Sequence, residues 1–361
     1  MSANADLWRG RSVFVTGHTG FKGGWLALWL HHLSANVHGF ALDPPTTPSL
    51  FETARIKSLL ASDTRADLAD LAELESAFAA AQPEVVFHLA AQSLVRESYR
   101  DPLGTLTTNI MGTARVLEAA RAIDSVRAIV LITTDKVYEN REWEYSYREV
   151  DSLGGHDPYS ASKAAAEIVA ASYRASFFER EKGHPAHVAT ARAGNVIGGG
   201  DWATDRLVPD CLRAFAANQS VYLRLPAAVR PWQHVLEPLA GYLRLAERLF
   251  GADGEKFAKA WNFGPDTRGN ATVGEVAAAT ARLWGDGARV EYAPATENPH
   301  EAGLLRLDSA RARNALDWKP RWSLEDALEK TVAWQKAWKR GADMAAVCRD
   351  QIRAYEAQAQ A

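Results

Sequence analysis

The sequence predicts an α/β protein built on a doubly wound parallel sheet, with a smaller C-terminal domain. Through the first half of the chain, short apolar segments alternate with amphipathic helical segments, which is the order expected of a parallel sheet covered by helices on both faces. A glycine-rich turn joins the first apolar segment to the first helical one. After Asn195 the alternation stops at a run of three glycines, residues 198–200, and we expect the second domain to begin there.

Each predicted element rests on a local pattern. In the first helix, large apolar side chains recur at intervals of three and four residues, which predicts one apolar stripe facing the sheet; they are Trp25, Leu26, Trp29, Leu30 and Leu33. The predicted strands are residues 13–15, 37–42, 85–89, 128–132 and 187–192. The predicted helices are residues 23–33, 71–81, 105–122 and 159–178.

A later apolar segment, residues 261–264, predicts that the chain returns to the first sheet before it ends. We therefore assign residues 1–197, rejoined by 233–264, to a sheet domain. Residues 198–232 and 265–361 are assigned to the smaller domain. Such boundaries are typically accurate to about 2 to 4 residues.

The composition excludes several classes of protein. Hydrophobic residues make up 47% and charged residues 24% of the chain, which is typical of a globular enzyme and too apolar for a disordered chain. A formal net charge of -3 with scattered Lys and Arg argues against a nucleic-acid partner. Cys211 and Cys348 are too few to form a metal cluster or a disulfide framework. Without a secretory leader or an apolar span, we expect a cytoplasmic protein.

The glycine-rich loop (residues 17–23) has a glycine at every third residue. Between a strand and a helix, such a loop brings backbone N–H groups and a helix N-terminus close to a pyrophosphate. Asp43 ends the second predicted strand at about the position, roughly 20 residues on, where a carboxylate binds ribose hydroxyls. The sheet domain is thus expected to be Rossmann-like and to bind NAD rather than NADP. Lys22 would partly offset the repulsion of a 2′-phosphate, and Asp43 has an alternative role as a turn residue.

A second pattern points to proton transfer. Tyr159 and Lys163 lie four residues apart, on one face of the helix that starts after Asp157 and Pro158. The lysine is expected to lower the pKa of the phenol, so that a phenolate accepts the proton of an alcohol as hydride leaves, with Thr134 bonded to the same oxygen. The spacing alone is frequent on solvated helix faces. Its combination with the glycine-rich loop and a Thr at a strand's end favours catalysis.

Four stretches resemble the sugar-nucleotide 4,6-dehydratases of the extended short-chain dehydrogenase/reductase family, most closely those that act on CDP-glucose. They are residues 17–26 (GHTGFKGGWL), 134–140 (TDKVYEN), 192–202 (RAGNVIGGGDW) and 230–239 (RPWQHVLEPL). The resemblance spans nearly the whole chain. It implies a redox-neutral reaction in which C4 of the glucosyl unit is oxidised, water leaves across C5 and C6, and hydride returns to C6.

The resemblance also assigns roles to the triplet of Thr134, Asp135 and Lys136. Asp135 is expected to protonate the departing C6 hydroxyl, which requires a carboxyl group kept protonated by burial; its alternative role is a strand-end cap. Many relatives have Glu where this chain has Lys136, and that Glu removes the C5 proton. Lys136 either takes the place of this base, if its pKa is lowered, or stabilises the enolate as a cation.

Further binding residues follow from the same resemblance. Those expected at the cofactor are Gly17, Gly20, Phe21, Lys22, Gly23, Asp43, Asp67, Leu68, Ala90, Ala91, Gln92, Asn109, Tyr159 and Lys163. Those expected at the substrate are Asn195, Arg206, Arg230 and His300, with Ser93 near the sugar. Asn109 is a poor helix former that is expected to bend its helix, or else is an exposed polar residue. His300 has surface charge as its alternative role.

Two other functions share much of this pattern. An NAD-dependent sugar-nucleotide 4-epimerase would need the loop and the Tyr–Lys pair but no acid such as Asp135. A non-catalytic NAD-binding regulator would have no need of Tyr159 and Lys163. The family pattern further implies a homodimer or homotetramer, with Ile110, Val116, Leu117 and Ile168 as apolar positions for helix pairing, unless these face the sheet. No metal ion is expected.

Overall fold

The computed structural model describes residues 4–179, 183–266, 269–285, 287–292 and 303–358. A large parallel sheet forms its centre and two small sheets lie beside it. The strands are, in chain order, β1 (Ser12–Thr16), β2 (Asn36–Ala41), β3 (Ser62–Arg65), β4 (Val85–His88), β5 (Ala128–Ile132), β6 (His187–Ala193), β7 (Asn195–Ile197), β8 (Ser220–Leu223), β9 (Val229–His234), β10 (Ala260–Phe263), β11 (Asn270–Thr272) and β12 (Arg289–Tyr292).

The helices cover both faces of the large sheet and build most of the C-terminal part. They are α1 (Ala5–Trp8), α2 (Phe21–His32), α3 (Leu50–Thr53), α4 (Leu71–Ala81), α5 (Val95–Arg100), α6 (Pro102–Leu106), α7 (Gly112–Arg121), α8 (Pro158–Tyr173), α9 (Leu207–Ala216), α10 (Leu236–Phe250), α11 (Val273–Trp284), α12 (Ala310–Leu316), α13 (Leu324–Lys339) and α14 (Met344–Ala357). Within the described ranges, no helix is both long and apolar enough to span a membrane.

The large sheet has the order β10-β6-β5-β4-β1-β2-β3, with all neighbours parallel. The predicted α/β fold with a doubly wound parallel sheet is confirmed. All residues of β5 are buried, as expected of a strand covered on both faces. The chain winds outward from β1 in one direction and from β4 in the other, so the strand order reverses between them. Ligands bind at such a switch point, beyond the carboxyl ends of the strands.

Strand β3 was not predicted from the sequence. Its four residues, SDTR, are polar and none is fully buried, because the strand lies at the edge of the sheet and pairs with β2 alone. The five predicted strands are present. Strand β10 completes the other edge beside β6, where the segment at 261–264 was expected to return. The division into domains at the stated boundaries stays a prediction.

The prediction of a single apolar stripe on the first helix is wrong. All residues from Gly23 to Leu30 are buried, because α2 lies between the sheet and the C-terminal helix α14. Trp29 donates from Nε1 to Glu356 at 2.8 Å, and its ring packs edge-on against Tyr355 at 5.6 Å between centroids. Residues 23–30 of the helix are therefore buried on all sides.

The predicted helix at 105–122 is interrupted. Residues Thr107–Met111 form a π-helical turn between α6 and α7, a rare geometry that is frequent at functional sites. Two of the positions proposed for subunit contacts, Val116 and Leu117, are fully buried and pack with residues of the sheet, so for them the alternative of facing the sheet is confirmed. Ile168 on α8 is 61% exposed. Ile110 is half-buried.

Candidate active site

A cavity of about 1440 Å³ opens at the switch point of the large sheet. It is larger than the roughly 300–1,000 Å³ of common small-molecule pockets. Its wall is formed on one side by the glycine-rich loop and the ends of the parallel strands, and on the other by residues of β7, β8 and β9 with the loop before α9. The cavity thus has room for two ligands placed end to end.

The glycine-rich loop is closely packed, and two of its glycines are required by contacts. Gly17 has φ +75°, and a Cβ there would lie 2.6 Å from the backbone nitrogen of Ala90. A Cβ on Gly23 would overlap the carbonyl oxygen of Gly17. Gly20 caps the start of α2, whose N-terminus borders the cavity at Phe21. This arrangement fits an anion such as a pyrophosphate.

Beyond the glycine-rich loop, next to the ends of β2 and β3, the cavity wall has a carboxylate with a basic partner. Asp43 borders the cavity with its side chain 90% exposed, and it pairs with Arg65 at 3.4 Å. Arg65 is also held by Asp63 at 2.7 Å. Asp67 and Leu68 border the same region. Asp43 is therefore open to a ribose, as expected, and Arg65 is a neighbour that the sequence did not reveal.

Lys22 does not lie near Asp43. Its amino group is 5.8 Å from the centroid of the Tyr242 ring, and it is close enough to Arg206, Lys163 and Asp135 for their charges to affect its pKa. The expectation that Lys22 offsets the repulsion of a 2′-phosphate is thus wrong, because the side chain turns toward the centre of the cavity. The basic residue beside Asp43 is Arg65.

Asn109 connects the turn after β4 to the helix that carries the Tyr–Lys pair. It is 1% exposed; its amide accepts from the Gln92 N–H at 3.0 Å and donates to the Gln92 carbonyl at 2.9 Å and to Ser162 Oγ at 2.8 Å. The alternative of an exposed polar residue is wrong. Ala90, Ala91 and Gln92 border the cavity, whereas Asn109 lies behind them; its contact with a cofactor stays a prediction.

Helix α8 begins where the sequence indicated. Asp157 caps it by accepting from the Ser160 N–H at 2.9 Å, and Pro158 occupies the first turn. Tyr159 and Lys163 both border the cavity, and the Tyr159 hydroxyl is hydrogen-bonded with Thr134. The helix therefore presents the two side chains beside the end of β5, as expected.

The pKa values of this pair differ from the expectation. Burial raises the pKa of Tyr159 to about 12, although the hydrogen bond with Thr134 lowers it in part. Burial lowers the pKa of Lys163 to about 8, and its amino group donates to the Ile132 carbonyl at 3.0 Å. The prediction that Lys163 lowers the phenol pKa is wrong for this arrangement, because the lysine bonds to the backbone and burial dominates at the tyrosine.

Asp135 and Lys136 form an ion pair of 3.1 Å at the end of β5. Asp135 Oδ1 accepts from both Thr134 Oγ1, at 3.0 Å, and Lys136 Nζ. Oδ2 is buried with no hydrogen-bond partner among the described residues. Asp135 is 0% exposed and lies behind the wall, whereas Thr134 and Lys136 border the cavity. One carboxylate oxygen is thus left available for a further contact.

A buried polar network supports this wall, and the sequence analysis missed it. Glu167, four residues after Lys163, accepts from Thr133 Oγ1 at 2.5 Å, from Thr190 Oγ1 at 2.6 Å and from Arg192 at 2.9 and 3.0 Å. Burial would raise the pKa of Glu167, but Arg192 and the hydroxyl donors outweigh it and hold the pKa below its usual value. The available signals were a glutamate on a helix face otherwise rich in alanine and an arginine ending an apolar strand.

Three residues expected at the substrate border the half of the cavity away from the glycine-rich loop, which we call the far half. Asn195, Arg206 and Arg230 all contribute to its wall. Arg206 donates to Asp201 at 2.9 Å and to Ser93 Oγ at 2.9 Å, and the carboxylate of Asp201 raises the pKa of Arg206. His300 lies outside the described residues.

Two further arginines border the same half and were not found from the sequence. Arg96 and Arg224 pair with Asp205 at 3.4 and 3.7 Å, and all three line the cavity. They come from separate parts of the chain, so no local pattern connects them. Within the described ranges, no group of three or more His, Cys, Asp or Glu side chains is placed to hold a metal ion.

Residues 14–331 match the family model described as GDP-mannose 4,6 dehydratase. The chain belongs to this family. Over 352 residues, 97% of both chains, this family member is 49% identical to the CDP-glucose 4,6-dehydratase of Salmonella typhimurium. The predicted relation to sugar-nucleotide 4,6-dehydratases is confirmed.

Solved structures agree on the fold of this family member. The UDP-glucose 4-epimerase of Thermotoga maritima, in complex with UDP-glucose, gives a TM-score of 0.76 at 21% identity, over 91% of this chain and 99% of its own. The dTDP-glucose 4,6-dehydratase of Bacillus anthracis, in complex with NAD, gives 0.75 at 20% identity, over 93% and 100%. At these identities the likeness establishes the fold and not the reaction.

Proposed function

We propose that the protein is an NAD-dependent CDP-glucose 4,6-dehydratase, which forms CDP-4-keto-6-deoxyglucose and water. The observation that carries this proposal is the cluster of Thr134, Asp135 and Lys136 against Tyr159 at one wall of the cavity. The 49% identity with the dehydratase of Salmonella typhimurium supports the choice of substrate. A 4-epimerase shares the fold but needs no acid at the position of Asp135.

The residues around the near half of the cavity, which includes the glycine-rich loop, fit NAD. A side chain at Gly17 or Gly23 would close the loop on itself, so the glycines keep the backbone open to a pyrophosphate at the start of α2. Asp43 is exposed to a ribose, and its charge disfavours a 2′-phosphate. When bound, NAD supplies a hydride acceptor and then a hydride donor, which a redox-neutral dehydration requires.

Oxidation at C4 requires that a proton leave the C4 hydroxyl. Thr134 and Tyr159 share a hydrogen bond and border the cavity, so both can contact this oxygen. A phenol with a pKa near 12 must be assisted to act as a base near neutral pH. We assign this assistance to Lys163, one helical turn away, whose positive charge would favour the phenolate.

Elimination of water follows oxidation, because a ketone at C4 acidifies the hydrogen at C5. Asp135 is assigned to protonate the C6 hydroxyl through its unpartnered Oδ2, which requires that the carboxylate first take up a proton and that the carboxyl group turn toward the cavity. Lys136 already borders the cavity and pairs with Asp135. The ion pair favours Lys136 as the cation that stabilises the enolate, with the role of C5 base as the alternative.

The far half of the cavity is assigned to the nucleotide diphosphate. Arg206 and Arg230 border it, and arginine binds phosphate in a bidentate manner. Arg96 and Arg224 add positive charge, which Asp205 balances in part. The preference for cytosine rests on similarity to the Salmonella enzyme and not on a base contact.

We also propose that two copies of the chain pair through α6, the π-helical turn and α8. These elements contact one another and expose Leu103 at 75%, Met111 at 49% and Ile168 at 61%, apolar side chains that a second copy can cover. Light scattering should give a dimer or tetramer for the wild type and a smaller species for Ile168→Asp. A monomeric wild type would contradict this assembly.

The activity is tested with CDP-glucose deuterated at C4. The proposal predicts a product that has lost one water and carries the deuterium at C6, measured by mass spectrometry and NMR. Product of unchanged mass with inverted C4 would instead identify a 4-epimerase, and no conversion of CDP-, UDP-, GDP- or dTDP-glucose would favour a regulator. Tyr159→Phe serves as the inactive control in the same assay.

A further inference from the structure

Asp205 lies between two arginines in the wall of the far half of the cavity. Its carboxylate oxygen Oδ1 pairs with Arg96, from α5, at 3.4 Å and with Arg224, directly after β8, at 3.7 Å. All three side chains border the cavity, and each is between 26% and 33% exposed. One carboxylate oxygen therefore links two cationic side chains from separate segments of the wall.

Asp201, in the same loop, holds its arginine more firmly than Asp205 does. The Asp201 side chain is 5% exposed, and it accepts from Arg206 at 2.9 Å and from the Ala203 N–H at 3.1 Å. Both distances at Asp205 are longer than the roughly 2.7–2.9 Å of charge-assisted hydrogen bonds, and its side chain is 28% exposed. Of the two carboxylates, Asp205 is therefore the more easily displaced by another anion.

The arginines that hold Asp205 also suit a phosphate group. Arginine binds carboxylate and phosphate oxygens with the same fork of N–H donors. Because Arg96 and Arg224 converge on one carboxylate oxygen, an anionic oxygen of a ligand can make the same two contacts. The place taken by the Asp205 carboxylate is therefore one that fits an oxygen of a diphosphate.

We propose that Asp205 competes with the diphosphate of the sugar nucleotide for Arg96 and Arg224, and so lowers the affinity of the cavity for this ligand. The inference rests on the proposed function, since it takes a nucleoside diphosphate as the ligand of the far half. On binding, the two arginines exchange the carboxylate for phosphate oxygens. The reverse exchange speeds the release of a product that has the same diphosphate, because Asp205 replaces the departing anion.

The backbone at Asp205 allows the charge to be removed without a change of conformation. Its φ is +61°, in the left-handed region that most residues avoid and that Asp and Asn adopt more readily than other side chains. Asp205→Asn therefore keeps the backbone conformation and the size of the side chain. The variant isolates the effect of the negative charge on ligand binding.

The test measures the dissociation constant of CDP by calorimetry with the full chain. We expect Asp205→Asn to bind CDP about fivefold to tenfold more tightly than the wild type, because two partly exposed ion pairs no longer compete with the ligand. Cytidine, which has no phosphate, should bind equally to both proteins. Asp253→Asn is the matched control: its side chain is 70% exposed in a pair with Lys256, away from the cavity wall, and this variant should bind CDP as the wild type does.

A double-variant cycle tests whether the gain in affinity comes through the arginines. Arg224→Met removes one of the two cations for which Asp205 and the diphosphate compete. Adding Asp205→Asn to Arg224→Met should therefore increase the affinity for CDP by a smaller factor than Asp205→Asn does in the wild type. An equal factor in both backgrounds would contradict competition for Arg224.

The binding results separate this proposal from the proposed reaction. If Asp205 only positions the arginines, Asp205→Asn should bind CDP more weakly; weaker or unchanged binding would overturn the proposal, as would an equal gain for cytidine. Either result leaves the reaction intact if the wild type converts CDP-glucose. Tighter binding of CDP by the variant, without conversion of CDP-glucose by the wild type, would support the role of Asp205 and refute the reaction. If CDP binds to neither protein, both are wrong.

Discussion

The ion pair between Glu167 and Arg192 provides the strongest stability prediction. Both side chains are 4% exposed, and the carboxylate accepts four hydrogen bonds. Glu167→Gln removes the negative charge but keeps the shape of the side chain, which leaves the Arg192 guanidinium buried without its counter-ion. Breaking a buried pair from one side costs about 3–5 kcal/mol of unfolding free energy. The network supports Thr133, next to Thr134 of the proposed active site.

That cost converts into a measurable change in melting temperature. An unfolding entropy of about 2.1 cal/mol/K per residue gives roughly 0.76 kcal/mol/K for a chain of 361 residues. Calorimetry should therefore show a melting temperature about 4–7 °C lower for Glu167→Gln than for the wild type. Glu139→Gln is the matched control, because its pair with Arg141 is more than half exposed and its removal should change the unfolding free energy by about 0.5 kcal/mol or less.

The same pair predicts a pH dependence with a defined sign. The pKa of Glu167 is held below its usual value in the folded protein, so the stabilisation is complete above the unfolded pKa of about 4.3 and is lost as the pH falls through the folded pKa. The difference in unfolding free energy between the wild type and Glu167→Gln should therefore shrink below about pH 4.3. Equal stability of Glu167→Gln and Glu139→Gln at pH 7 would refute the reasoning.

Three further predictions concern the site. Asp135→Asn should stop the reaction after C4 oxidation and leave bound NADH, visible by its absorbance; unaltered turnover would reject the acid role. Gly23→Ala should weaken NAD binding more than tenfold, because the added Cβ overlaps a backbone carbonyl of the loop. Gly251→Ala is the control: its Cβ would lie 3.4 Å from the nearest atom, and this variant should bind NAD as the wild type does. Asp43→Ala should lower the preference for NAD over NADP by about tenfold, since the carboxylate that repels a 2′-phosphate is removed. An unchanged ratio of dissociation constants would count against a ribose contact at Asp43.

The sequence predicted those elements whose own residues indicate their burial or their ends. Strand β5 is apolar throughout because it is covered on both faces, and α8 begins at Asp157 and Pro158 because these residues cap and start a helix locally. The glycine-rich loop was found for the same reason, since the backbone at Gly17 and Gly23 leaves no space for a side chain. Each of these signals lies within a few consecutive residues.

Other features of the structure could not be predicted from local sequence patterns. The polar strand β3 is stabilised at the sheet edge by pairing with β2. The apolar outer face of α2 is explained by α14, more than 300 residues later in the chain. The ion pairs of Asp205 with Arg96 and Arg224 join three separate segments.

By itself, the sequence determined the parallel α/β fold, the loop that fits a dinucleotide and the residue types available for proton transfer. Only the tertiary structure decided that Lys22 turns toward the catalytic residues, that Asp135 lies behind the cavity wall and that burial raises the pKa of Tyr159. The physical reason is the distance along the chain over which each effect acts. Backbone preferences and side-chain periodicity act over a few residues, whereas the pKa of a group and the direction of a long side chain depend on charges and burial supplied by distant parts of the chain.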